Sequence, residues 1–125
     1  MESNFRILSE QIQADVPVTV FHVYGWLDTQ SEEELLAAAR TAYDDGARYL
    51  LIDMLALDTM TTAGMMAIQK VYKIFTPKGE QSTAARLKLC NAPPQIYHVL
   101  GITGFLENIH MYESMESALQ SFGKE

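Results

Sequence analysis

The run Tyr49-Leu50-Leu51-Ile52-Asp53-Met54-Leu55 constrains the fold more than any other stretch of the chain. It is almost continuously apolar, yet far shorter than the roughly 18 residues a membrane-spanning helix needs. Such a run is the pattern of a central strand covered on both faces, and covering both faces of a sheet takes helices. Those helices are legible on either side. Ser31-Glu32-Glu33-Glu34 fits a capping box whose acids suit the positive end of a helix dipole. Leu35, Ala39, Ala42 and Tyr43 then recur on one helical face, and Gly46 can close the helix. Beyond the apolar run, Met65, Ile68, Tyr72 and Phe75 mark a second amphipathic helix that starts at Thr61 or Thr62, with Lys70 and Lys73 toward its C-terminal half.

The remaining elements complete an alternating order. Phe5 to Ile12 and Val18 to Tyr24 read as extended segments joined by a turn at Asp15 to Pro17. That turn is too short for a parallel crossover, so the two strands are antiparallel. Thr76 to Ala85 reads as an exposed loop, and Arg86 to Cys90 as a fourth strand. Pro93-Pro94 suits the start of a short third helix over Gln95 to Leu100, with Gly101 and Gly104 ending it. Ile109 to Tyr112 gives a fifth strand, and Ser114 can cap a last helix through Phe122. The order β-β-α-β-α-β-α-β-α predicts an α/β fold in which residues 1–125 form one domain. Its sheet is mostly parallel, with an antiparallel N-terminal edge strand. Segments that follow parallel strands emerge at one edge of such a sheet, where α/β proteins usually bind. Here they are Trp26 to Gln30, Asp58 to Gly64 and Asn91 to Pro94.

Charge and composition exclude several functions. Nine Lys and Arg against sixteen Asp and Glu give a net charge of -7 and leave no basic stripe for a phosphate backbone. Nucleic acid and anionic membrane surfaces are therefore disfavoured partners. Met1-Glu2-Ser3-Asn4 lacks the basic start of a signal peptide, and Cys90 is alone, so a reducing, cytoplasmic setting is expected. His22, His98 and His110 lie far apart, no metal-ligand spacing occurs, and no nucleotide or cofactor motif is present. Cys90 reads as a small buried hydrophobe.

The chemistry-bearing cluster is Leu57-Asp58-Thr59-Met60-Thr61-Thr62-Ala63-Gly64. A hydroxyl at Thr61 or Thr62 reads in two ways. As an N-cap it accepts a bond from an orphan backbone N–H. As a phosphoacceptor it would hold an added phosphate against backbone donors and the positive dipole end. The phosphate adds about -1.5 to -2 charge while the dipole returns only about 0.3–1 kcal/mol, so modification would act on whatever docks there. Gly64, which costs roughly 1 kcal/mol against alanine in a helix, signals either close packing on a strand or room for a partner to reach the hydroxyl. Of Met60, Met65 and Met66, at least one is expected to face the interior and one to meet a partner. Asp28 reads as a turn residue and Asp53 as a carboxylate near a strand end bonded to adjacent loop amides, or both as organisers of the edge around Thr62. An enzyme built from the same acids and threonines lacks a base placed beside a nucleophile.

Taken in order, these pieces resemble the STAS domain, the fold shared by anti-sigma-factor antagonists and the tails of sulphate transporters. The resemblance runs from the first strand to Leu119. Its carriers are Gly25-Trp26-Leu27-Asp28 followed by Leu35, then Leu50-Leu51-Ile52-Asp53-Met54 and Thr61-Thr62-Ala63-Gly64-Met65. Later come Leu87-Lys88-Leu89-Cys90-Asn91-Ala92 and Leu100-Gly101-Ile102-Thr103-Gly104-Phe105. The resemblance implies a non-enzymatic antagonist, without cofactor or metal, that binds an anti-sigma factor. That partner is a serine/threonine kinase of histidine-kinase-like ATPase fold, and a phosphatase reverses its action. In the family the kinase modifies the hydroxyl after the motif's Asp. Thr62 takes that phosphoacceptor place and Gly64 the family glycine, while Thr61 stands where the family usually has Asp, which removes an orienting carboxylate. The implied partner-binding set is Trp26, Asp28, Asp58, Met60, Thr61, Gly64, Met65 and Met66. STAS domains also serve, without phosphorylation, as subunits of transporter ATPases and of larger signalling assemblies, and that alternative stays open.

Overall fold

The computed structural model describes residues 5–76, 86–107 and 109–123, and every structural statement below concerns them. β1 (Arg6–Gln13) and β2 (Pro17–Leu27) form the expected antiparallel pair, in register from Arg6 opposite Tyr24 to Gln13 opposite Pro17. α1 (Glu32–Asp44) leads to β3 (Leu50–Met60), and α2 (Thr62–Phe75) follows. β4 (Leu87–Cys90), α3 (Pro94–Ile102), β5 (His110–Tyr112) and α4 (Met115–Ser121) complete the described order, with a 3-10 turn at Phe105–Glu107. The sheet runs β1-β2-β3-β4-β5, parallel from β2 onward. This is the α/β arrangement that the alternating pattern predicts.

Helices α1, α2 and α3 share one face of the sheet. Leu35, Ala39, Ile68, Val71, Phe75 and Leu100 pack there on Phe21, Val23, Leu50, Ile52 and Leu89 to form the main core. On the other face α4 sets Ala118 and Phe122 over Val18, Val20, Leu51 and Cys90. With 7 residues α4 spans only about 10 Å at 1.5 Å per residue, against an 11-residue β3. β3 is therefore covered on both faces along its first half only, and Leu55 is 71% exposed.

Several boundaries differ from those expected. β2 continues through Trp26 and Leu27, and β3 through Asp58, Thr59 and Met60, because the ladder resumes after two register shifts with Trp26 opposite Thr59 and Leu27 opposite Met60. Trp26 and Asp58 to Met60 are thus strand residues rather than loop. The capping box at Ser31 does not form. Ser31 has helical φ/ψ of -94° and -6°, whereas a cap residue needs extended geometry. Its Oγ turns inward, donating to the Trp26 carbonyl at 2.8 Å and accepting from the Asp28 N–H at 2.8 Å. Asp28 takes over the turn: its Oδ1 accepts from the Gln30 and Ser31 N–H groups at 3.0 and 3.2 Å.

Gly46, at φ +109°, closes α1 as expected, with the Ala47 N–H on the Ala42 carbonyl. Gly101 does not end α3, which continues to Ile102; Gly104, at φ +77°, follows its last turn. Ser114 caps α4 by accepting from the Ser117 N–H at 3.1 Å. Of the expected loop over Thr76 to Ala85, residues 77–85 lie outside the described residues. Among the described residues no helix is long and apolar enough to cross a membrane.

Candidate docking site at the amino end of α2

β3 passes to α2 through Thr61 alone. Thr61 is extended (φ -94°, ψ 176°), its N–H donates to the Leu27 carbonyl at 3.0 Å, and its Oγ1 accepts from the Gly64 N–H at 3.3 Å. Only one of the two hydroxyls makes the cap bond. Thr61 is the N-cap. Thr62 is the first helical residue, is exposed, and its hydroxyl makes no hydrogen bond to any described residue. The first turn of α2 carries no acid, so nothing there offsets the partial positive charge of the helix end.

Gly64 is explained by packing. A Cβ built on it would lie 2.2 Å from the Leu27 carbonyl oxygen and 2.9 Å from its carbon, so only a glycine lets α2 approach β2 this closely. Gly64 is itself buried. The methionines divide as anticipated. Met60 and Met65 pack against the main core, and Met66 is 51% exposed.

The other expected contact residues are dispersed by the strand pleat. Leu27 and Leu57 are buried in the main core under the helices, so their neighbours Trp26 and Asp58 point to the opposite face. Both are exposed, but away from α2. Asp28 is half-buried and committed to its turn, where the Ser31 hydroxyl also approaches its Oδ1 at 3.1 Å. Asp53 does not organise the edge around Thr62. It lies on the α4 side of the sheet, with Oδ1 accepting from the Leu55 N–H at 3.1 Å and from Asn91 Nδ2 at 3.0 Å.

One feature of this edge was not foreseen in the sequence. Thr103 Oγ1 donates to Met65 Sδ at 3.4 Å, which brings the end of α3 against the first turn of α2. Towards the same end of α3, Ile102 is 71% exposed and Val99 39% exposed. Ending α3 at Gly101 hides this apolar pair, because Ile102 is then counted as loop.

No histidine, lysine or carboxylate hydrogen-bonds the Thr62 hydroxyl among the described residues. Cys90 is buried as expected, and burial, with the nearby Asp53 charge, pushes its thiol up to about 12, so it supplies no thiolate. Among the described residues no group of three His, Cys, Asp or Glu side chains could hold a metal ion.

Comparison with known proteins adds three likenesses and one family match. A STAS domain model matches residues 9–118. BtrV of Bordetella bronchiseptica, a candidate anti-sigma factor antagonist, is 26% identical over 98 residues, covering 78% of this chain and 80% of its own. The crystal structure of an anti-sigma factor antagonist from Mycobacterium paratuberculosis superposes with a TM-score of 0.79 at 18% identity, over 95% of this chain and 94% of the other. SpoIIAA, a Bacillus cell fate determinant solved in its phosphorylated form, gives a TM-score of 0.65 at 21% identity, over 91% and 96%.

Proposed function

Because this chain belongs to the STAS domain family, we propose that it is an anti-sigma-factor antagonist switched by phosphorylation of Thr62. The observation that carries the reading is the division of labour at the start of α2. Thr61 holds the cap, so the exposed Thr62 hydroxyl can be modified without undoing the helix. The likeness to BtrV supports the antagonist role, and a phosphorylated form of SpoIIAA supports the kind of switch.

In this reading the unmodified surface around Thr62, Met66 and Ile102 captures an anti-sigma factor and thereby frees a sigma factor. The anti-sigma factor is a kinase of histidine-kinase-like ATPase fold. It transfers the γ-phosphoryl group of ATP to Thr62 Oγ1, releasing ADP, and the hydroxyl proton leaves to a base on the kinase. The added charge of about -1.5 to -2 then sits in a docked, desolvated surface, where an unpaired charge is strongly unfavourable, and the partner is released. A phosphatase resets the switch. Thr61 supplies a neutral cap where a carboxylate is usual in the family, so the kinase must orient the Thr62 hydroxyl with its own groups. The protein is a substrate and regulator rather than an enzyme, needs no cofactor, and works in the cytoplasm.

The test is co-purification from the source cell, followed by incubation with the recovered kinase and ATP and phosphopeptide mapping. One phosphate on Thr62 is the expected result. A transporter ATPase as the co-purifying partner, with no phosphate on Thr62, would instead favour a non-phosphorylated STAS subunit.

A further inference from the structure

His22, midway along β2, stands with both ring nitrogens against carboxylates from two different strands. Nδ1 is 2.7 Å from Asp53 Oδ2 on β3, and Nε2 is hydrogen-bonded to Glu10 Oε2 on β1. An imidazole carries one N–H when neutral and two when protonated. Two carboxylate acceptors are satisfied together only by the cation. Either neutral tautomer turns a lone pair toward one of them. The three side chains meet on the α4 side of the sheet. Asp53 is the direct neighbour of His22 in register, and Glu10 sits diagonally, two residues beyond Leu8, which is the residue opposite His22.

We propose that His22 is a pH-operated clip: as an imidazolium it fastens the edge strand β1 to β2 and β3, and on losing its proton it lets Glu10 go. The asymmetry of the two arms says which one opens. Asp53 is anchored independently by the Leu55 N–H and Asn91 Nδ2, and its side chain is largely buried. Glu10 is 47% exposed at its side chain and can turn to water. A neutral ring therefore keeps its remaining N–H on Asp53. β1 is vulnerable to this loss because it pairs only with β2 and is exposed along most of its length.

The surrounding groups do not supply a competing charge switch. From β4, Cys90 Sγ lies 4.0 Å from Asp53 Oδ1 and remains a neutral thiol, and Asn91 is uncharged. Lys88 on β4 donates to Ser121 Oγ at 2.8 Å and lies over the Phe122 ring. Arg6 on β1 lies over the Tyr24 ring at 4.8 Å. Burial alone would lower the His22 pKa, but the hydrogen bonds and charges of Glu10 and Asp53 outweigh it and hold the group above 6.5. The linkage sign follows. The folded pKa is raised, so the clip's contribution is complete below the unfolded value of 6.5 and is lost as pH climbs through the folded value.

The experiment uses the full chain: an NMR titration of the His22 ring, with hydrogen exchange of the β1 amides measured across the same pH range and corrected for intrinsic exchange. The expected midpoint lies above 6.5, and because Asp53 stays with the ring when β1 opens, β1 opening increases by at most about tenfold for each pH unit by which it does so. Glu10→Gln, an exposed substitution, should lower the midpoint and flatten the pH dependence of β1; His22→Gln should abolish that dependence. A His22 midpoint at or below 6.5 overturns the proposal, as does β1 exchange that keeps the same pH profile in Glu10→Gln.

Discussion

Replacing Gly64 by alanine sets two physical effects of opposite sign against each other. Taken alone, helix propensity predicts that the substitution stabilises α2 by about 1 kcal/mol. The structure places the new Cβ 2.2 Å from the Leu27 carbonyl oxygen, more than 1 Å inside ordinary van der Waals contact, which begins at 3.4 Å. That oxygen belongs to a buried strand and cannot rotate away, so α2 must move. Overpacking of this kind costs about 1–3 kcal/mol. Moving the start of α2 also stretches the 3.0 Å bond from the Thr61 N–H to the same carbonyl, for about 0.5–1.5 kcal/mol more. Subtracting the propensity gain leaves a net loss of about 0.5–3.5 kcal/mol. For a domain of this size each kcal/mol lowers Tm by about 4 °C, so the melt should fall by roughly 2–14 °C. Urea unfolding gives the free energy directly, through a lower midpoint at unchanged slope. A Gly64→Ala protein as stable as the parent, or more so, would refute the close approach of α2 to β2.

Other expectations follow from the same geometry. Thr61→Ala should cost about 1 kcal/mol in urea unfolding, as loss of an N-cap does, whereas Thr62→Ala should stay within about 0.5 kcal/mol. Ser31→Ala should cost about 1–3 kcal/mol, because it removes the hydroxyl that bonds both the Trp26 carbonyl and the Asp28 N–H, while Glu34→Gln, with no capping box to break, should be near neutral in the same assay. With its pKa pushed to about 12, Cys90 should resist an aromatic disulfide reagent at pH 8 in the folded protein and react fully in urea. Raising pH through the folded His22 value should loosen β1 before the rest of the sheet, seen as loss of amide protection confined to that strand.

The element order was legible because hydrophobic period and turn residues agree along the chain. Strand ends were not. Gly25-Trp26-Leu27 and Asp58-Thr59-Met60 carry the polar and small residues of loops, yet pairing across two register shifts keeps them in the ladder. A capping-box signature was present at Ser31, but sequence spacing does not say which way a hydroxyl turns, and Asp28 was better placed to take the backbone donors. At the site, Thr61 and Thr62 were found together, and only the backbone geometry separates cap from exposed hydroxyl. Trp26 and Asp58 sit close to them in the strands but on the other side of the pleat. The His22 cluster had no sequence signal at all. Its members lie 12 and 31 residues apart and meet only through strand register.

The most direct test of the account is calorimetric titration of the co-purified anti-sigma factor into the parent protein and into Thr62→Glu. The parent should bind, and the glutamate variant should bind roughly 100-fold more weakly while unfolding at the same urea concentration. Binding within twofold of the parent would show that the amino end of α2 is not the surface the partner holds.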